Sequence, residues 1–132
     1  MTLLGGDPTH VSREATILTV EQNGSERCEL SPNSSFVRIR VPLCATGDGP
    51  RRKATFRFSI GSFTGGEIKL LLEAGFERSL GFRIPQELFR PREHLILEVL
   101  SEGTYGPKKV IWIKRYDVGW RGKAPYLEPA GD

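Results

Sequence analysis

The chain has 132 residues, of which 38% are hydrophobic and 27% charged. That is one domain's length and enough apolar content to bury a core without metal or disulfide staples, and it excludes a disordered or collagen-like chain. A net charge of +3 permits an anionic partner without demanding one, and no apolar run approaches the length of a membrane span.

Residues 1–14 are polar without a period and are expected to form a flexible N-terminus. MTLLGGDPTH lacks a basic run and a long enough apolar stretch for a secretory signal. The expected location is therefore the cytoplasm, with Cys28 and Cys44 as reduced, buried thiols rather than a disulfide. Their spacing is not that of a zinc site, so no metal and no cofactor is expected. Asn33-Ser34-Ser35 fits a glycosylation sequon, but without secretion it reads as a turn.

Short β-type runs then alternate with turn signals. ATILTV (15–20) ends at Gln22-Asn23-Gly24, and RCEL (27–30) ends at Ser31-Pro32-Asn33-Ser34. SFVRIRVPLC (35–44) alternates, with Phe36, Arg38 and Arg40 on one side and Val37, Ile39 and Val41 on the other. That is the period of a half-buried strand whose arginines face out. After the turn ATGDGP, KATFRFSI (53–60) alternates again and EIKLLL (67–72) follows. Between them lies Gly61-Ser62-Phe63-Thr64-Gly65-Gly66, a loop rich in turn chemistry.

EAGFERSL is expected to hold at most a helical turn, because Gly75 and Gly81 oppose a longer helix. GFRIP (81–85) reads as a strand stub, and QELF (86–89) as one helical turn begun by Pro85. HLILEVL (94–100) is a strand, and KKVIWIKRYDVGW (108–120) a long strand or a bent pair. Residues 121–132 are expected to be an irregular tail folded back through Tyr126 and Leu127. Short strands at this spacing predict an all-β fold, a small antiparallel β-barrel of about six to eight strands with one or two short helical turns. It would be a single domain over 15–120, closed so that few strand edges stay exposed.

Four segments, in order, carry a resemblance. FVRIRVPL, the loop Ile60-Gly61-Ser62-Phe63-Thr64-Gly65-Gly66, LFRPREHLILEVL and VIWIKRYDVGW together resemble a PilZ domain, the small bacterial β-barrel that senses cyclic di-GMP. The likeness spans roughly two-thirds of the chain, from Phe36 to Trp120. It implies a non-enzymatic regulatory module with cyclic di-GMP or a protein as partner. The implied ligand-binding residues are Arg38, Arg40, Ser62, Gly65 and Gly66. Ile60 stands where that family has Asp or Asn, and Ser34 stands four residues before Arg38, where it has a second Arg. Two charge-assisted contacts of about 1.5–3 kcal/mol each are thereby missing, which implies weak or lost dinucleotide binding and contact with a protein partner instead.

The rival reading is a DNA- or RNA-binding barrel. Arg51, Arg52 and Lys53 form one basic group, and Lys108, Lys109, Lys114 and Arg115 another, interleaved with Tyr105, Trp112 and Tyr116. Arg51, Arg52, Lys53 and Lys109 are its candidate contacts. Asp48 with Glu67-Ile68-Lys69 matches the carboxylate and ExK spacing of a metal-dependent nuclease, but that core needs flanking helices that this pattern lacks. His94 opens an apolar strand and reads as structural, and no nucleophile constellation is visible. Trp112 and Trp120 read as packing residues.

Overall fold

The computed structural model describes residues 17–102 and 108–130. Among them the elements in chain order are β1 (Thr19–Gln22), β2 (Arg27–Leu30), β3 (Phe36–Thr46), β4 (Arg52–Ile60), β5 (Phe63–Thr64) and β6 (Ile68–Leu72). There follow β7 (Glu77–Pro85), a 3-10 turn (Gln86–Leu88), β8 (His94–Ser101), β9 (Lys109–Arg121) and β10 (Ala124–Pro129). The expected N-terminal segment 1–14 and Tyr105 lie outside the described residues. Among those described, no helix is long and apolar enough to cross a membrane.

The strands form two antiparallel sheets. In the first, β3 is central. β1 and β2 share one of its edges, and β7 covers the other from Phe36↔Pro85 to Cys44↔Glu77. In the second, the order is β10-β9-β8-β4, with β5 and β6 both on the far edge of β4. The alternation in the sequence dictates the inner faces. Val37, Ile39, Val41 and Leu43 of β3 face Ala54, Phe56, Phe58 and Ile60 of β4, with Leu95, Leu97 and Val99 of β8, in one shared core. Burying these large side chains on both inner faces is the main force that holds the sheets together. Phe82 of β7 stacks on Phe58, ring centroids 4.3 Å apart, and so joins the two sheets along one side. On the other side Tyr116 is fully buried on β9 and donates its hydroxyl to Glu26 Oε1 at 2.8 Å, beside Gln22 Oε1 at 3.2 Å.

The all-β, antiparallel expectation holds. Among the described residues the sheets are not hydrogen-bonded into one closed ring: β6 pairs with β4, β7 pairs with β3, and these consecutive strands belong to different sheets. Two segments differ from the sequence reading. The helical turn expected in EAGFERSL is a tight turn at Glu73–Phe76, closed by Phe76 N–H to the Glu73 carbonyl at 2.9 Å, and then the nine-residue strand β7. The irregular tail expected over 121–132 instead carries β10, which folds back on β9 from Ala124↔Arg121 to Pro129↔Tyr116. The short turn after Pro85 is present, as a 3-10 turn. Trp120 packs as expected, its indole N–H donating to the Phe89 carbonyl at 2.7 Å.

Candidate functional site

Period-2 alternation turns Arg38 and Arg40 to the outer face of the first sheet. Strand register then supplies their neighbours. Arg83 lies opposite Arg38 and Gly81 opposite Arg40 on β7, while Glu29 lies opposite Arg38 and Arg27 opposite Arg40 on β2. The result is an open cleft of about 370 Å³ lined by four arginines, Arg27, Arg38, Arg40 and Arg83, against one carboxylate, Glu29. Glu29 Oε1 is 3.2 Å from Arg38 Nη2. Both side chains are exposed, so this pair contributes at most about 1 kcal/mol. Arg83 places its guanidinium carbon 5.0 Å from the centre of the Phe36 ring. Among the described residues, Arg27, Arg40 and Arg83 have no ion-pair partner. Such a face attracts anions, and guanidinium forks suit phosphate and carboxylate oxygens.

The cleft runs into an aromatic groove of about 380 Å³ at the seam where the sheets meet through side chains without a backbone ladder. Phe82 and Arg83 line both. Phe36, Phe58 and Phe63 supply further rings, and Gly65, Gly66, Ile68 and the carboxylate Glu67 complete one wall. The two glycines differ. A side chain at Gly65 would strike the Phe58 ring, so that position is required by packing, whereas Gly66 meets nothing within 4 Å. Phe63 and Thr64 of the quoted loop form β5 against Ser59 and Ile60, which shapes the groove.

Of the residues proposed for ligand binding, Arg38 and Arg40 share the cleft, and Gly65 and Gly66 border the adjoining groove. Ser62 does not join them. It lines a separate small hollow with Arg90 and Glu93, because Gly61 turns the chain with φ +56 immediately before it. Arg27, Arg83 and Phe36 complete the site and were not picked out as site residues from the sequence. Their signal was present in the alternation of RCEL and GFRIP, but their place beside Arg38 is set by long-range register.

The basic residues of the nucleic-acid reading are divided. Arg52 donates to the Leu18 carbonyl at 2.7 Å and so serves the fold. Arg51 is exposed in the turn before β4. Lys53 and Lys109 lie at one end of the second sheet, where Ser101 of β8 pairs with Lys109 and with Ala54. Glu102 shares that end and takes hydrogen bonds from Thr55 and Lys69, which hold its carboxyl below the usual range. The nuclease-like set also disperses: Lys69 is held by Thr55 and Glu102, and no cluster of three potential metal ligands occurs among the described residues. His94 pairs with Asp117 at 2.8 Å across the β8–β9 ladder. Both cysteines are free and half-buried. Burial, with Glu26 and Glu29 nearby, pushes the Cys28 thiol up to about 12, so it is a poor nucleophile at neutral pH.

No family model matches the chain, and no curated protein matches it either. Among solved structures, a β-glucosidase from Kluyveromyces marxianus is similar over 86% of this chain, with 13% identity and a TM-score of 0.40. This chain spans 15% of the length of that one.

Proposed function

We propose that this protein is a non-enzymatic binding and regulatory module of PilZ-like type, acting in the cytoplasm, whose arginine cleft takes an anionic, phosphate-bearing ligand. The observation that supports this reading is the imbalance of the cleft: four guanidinium groups against one carboxylate, continuous with an aromatic groove. A cyclic dinucleotide, the ligand implied by the resemblance, carries two phosphates and two flat bases. Arg38, Arg40 and Arg83 would fork onto phosphate oxygens, and the rings of Phe36 and Phe63 would offer a face to a base. The missing acceptor at Ile60 and the separate position of Ser62 argue for weak binding, with a Kd on the order of 100 µM. Such an affinity suits a module whose output is contact with a protein partner rather than a dedicated receptor.

The test is titration calorimetry with cyclic di-GMP at two salt concentrations. The expected result is saturable heat that weakens at the higher salt and disappears in Arg38→Ala. No heat at millimolar ligand would retire the dinucleotide, and heat unchanged in Arg38→Ala would place the ligand elsewhere. The same sample, run with a random-sequence oligonucleotide, tests the nucleic-acid alternative at Arg51, Arg52, Lys53 and Lys109. A salt-sensitive shift, abolished by Lys53→Ala with Lys109→Ala, would favour it.

A further inference from the structure

The strand β7 has one partner, β3, and the phase of that ladder can be read from its ends. Ala45 N–H donates to the Phe76 carbonyl at 3.0 Å just before β7, and Gln86 N–H donates to the Ser35 carbonyl at 3.0 Å just after it. Bonded and non-bonded pairs alternate in an antiparallel ladder. Arg78, Leu80, Phe82 and Ile84 therefore bond to β3, while the backbone of Glu77, Ser79, Gly81 and Arg83 points the other way. Two prolines agree with this phase. Pro42 and Pro85 both fall at positions where this ladder needs no N–H, and the Pro42 carbonyl turns instead to Asn23 N–H at 3.1 Å. Among the described residues, no backbone group meets the outer edge of β7.

We propose that the outer edge of β7 is a docking site for an extended peptide strand of alternating acidic and apolar residues. A strand added there continues the first sheet over the seam between the sheets. Its side chains would alternate between two surroundings. Those on the outer face fall beside Arg83, at the rim of the arginine cleft, and carboxylates match that charge. Those on the inner face fall over the groove formed by Phe58, Phe63 and Phe82, and apolar side chains match that. Gly81, at the middle of the edge, is exposed and lets a partner backbone approach closely. A second copy of this chain fits less well. Antiparallel pairing of two β7 edges would set two arginine faces side by side, and Arg78, Arg83 and Pro85 are the charges and proline that blunt self-pairing at an edge. Those same charges favour an acidic strand. The proposal rests on the backbone edge rather than on Arg38 and Arg40; it shares Arg83 and Phe63 with the dinucleotide reading, so the two ligands would compete there, while the edge amides report on the strand alone.

The probe is a synthetic peptide of about seven residues alternating glutamate and valine, roughly the reach of the edge, followed by amide NMR on the full chain. The expected result is saturable binding with slowed exchange at the amides of Ser79, Gly81 and Arg83. A peptide of the same composition in blocks, without alternation, should bind at least about tenfold more weakly. Ser79→Pro removes an outward N–H without touching the ladder to β3, lies outside the arginine cleft, and should abolish binding while leaving cyclic di-GMP heats unchanged. Gly81→Pro tests the peptide binding alone if Ser79→Pro fails to fold. No binding at millimolar peptide, equal binding of the block peptide, or unprotected Ser79, Gly81 and Arg83 amides in the bound wild type would each overturn the proposal. So would a dimer of the free protein that Gly81→Pro dissolves.

Discussion

The outer faces of the two sheets are built from the same residue types and differ in how many of their charges find a partner. On the second sheet three pairs form, although Lys53, Arg115 and Arg121 have no ion-pair partner among the described residues. Arg57 meets Glu98 at 2.9 Å, its register partner, and Lys69 meets Glu102 at 3.2 Å. His94 meets Asp117 at 2.8 Å, again its register partner. Even the fully buried Thr55 hydroxyl is satisfied, donating to Glu102 at 2.8 Å. On the first sheet Arg38 has Glu29, while Arg27, Arg40 and Arg83 have no acidic partner among the described residues. Both faces look alike as alternating strands. Register decides which arginines stabilise the fold and which remain available to a partner.

The largest expected effect tests this difference directly. Arg38→Ala with Arg40→Ala should abolish the calorimetric heat of anion binding at millimolar ligand, as losing two charge-assisted contacts of about 1.5–3 kcal/mol each takes a Kd on the order of 100 µM beyond that range. The melting temperature should hardly move. Arg57→Ala should do the reverse. It leaves Glu98, whose side chain is 18% exposed, without its cation. The expected loss is about 1–2 kcal/mol, a fall of several degrees in melting temperature, with binding unchanged. If Arg57→Ala weakened the ligand as much as the double variant, the two faces would not be functionally distinct.

The aromatic seam between the faces offers the next effect. Gly65→Ala drives a methyl into the Phe58 ring and should cost about 1–3 kcal/mol by thermal or chemical unfolding. Gly66→Ala enters open space and should stay within about 0.5 kcal/mol. Equal effects at the two positions would mean that the groove wall is looser than this packing.

The strands that alternate most clearly in the sequence are those with one buried face, although RCEL and KKVIWIKRYDVGW also read as strands and form β2 and β9. β3, β4 and β8 alternate because Val37, Phe56 and Leu97 and their like meet the core on every second residue. Of β7 only the second half, GFRIP, reads as a strand, because its first three residues, Glu77, Arg78 and Ser79, are all exposed and hide the period at an edge. β10, expected as an irregular tail, carries Pro125 and Pro129, which weaken a strand pattern although an edge strand tolerates proline where no N–H is needed. The site was half legible for a related reason. Arg38 and Arg40 follow from local alternation, but Arg27 and Arg83 reach them by pairings across more than one turn of chain, and no local pattern encodes that distance. Ser62 lines another hollow, since a left-handed Gly61 precedes it, and the loop's sequence does not show which way that turn faces.

A smaller effect concerns the joint between the sheets at Tyr116 and Glu26. Burial alone would raise the Glu26 carboxyl, but the Tyr116 hydroxyl, then its own backbone amide, then Gln22 and Lys114 lower it overall. The folded value lies below the unfolded one, so the unfolded chain binds more protons in acid. The stabilisation is present above the ordinary carboxylate range and is lost as pH falls through Glu26's own lowered value. Tyr116, raised by burial and by Glu26, and Cys28, raised to about 12, behave oppositely. Their contribution is complete below their unfolded values and is lost as pH rises from about 9. Tyr116→Phe should therefore cost about 1 kcal/mol at neutral pH and flatten both limbs of a pH–stability curve measured by urea unfolding. Limbs that keep their slopes would remove this pair from the stability of the joint.

The smallest effect is also the sharpest for the first face. Glu29 is the single carboxylate in the arginine cleft, and it competes with any anion for Arg38. Its pair with Arg38 is exposed, with side chains 48% and 69% accessible, so breaking it should change stability by less than about 0.5 kcal/mol. Glu29→Gln keeps the shape and removes the competing charge. Anion affinity should then rise by about two- to fivefold, the equivalent of about 0.4–1 kcal/mol, and more at low salt than at high. The same change at Glu98 on the second sheet should lower stability and leave affinity alone. An affinity indifferent to Glu29→Gln would mean that the ligand does not touch Arg38, however favourable the charge of the cleft.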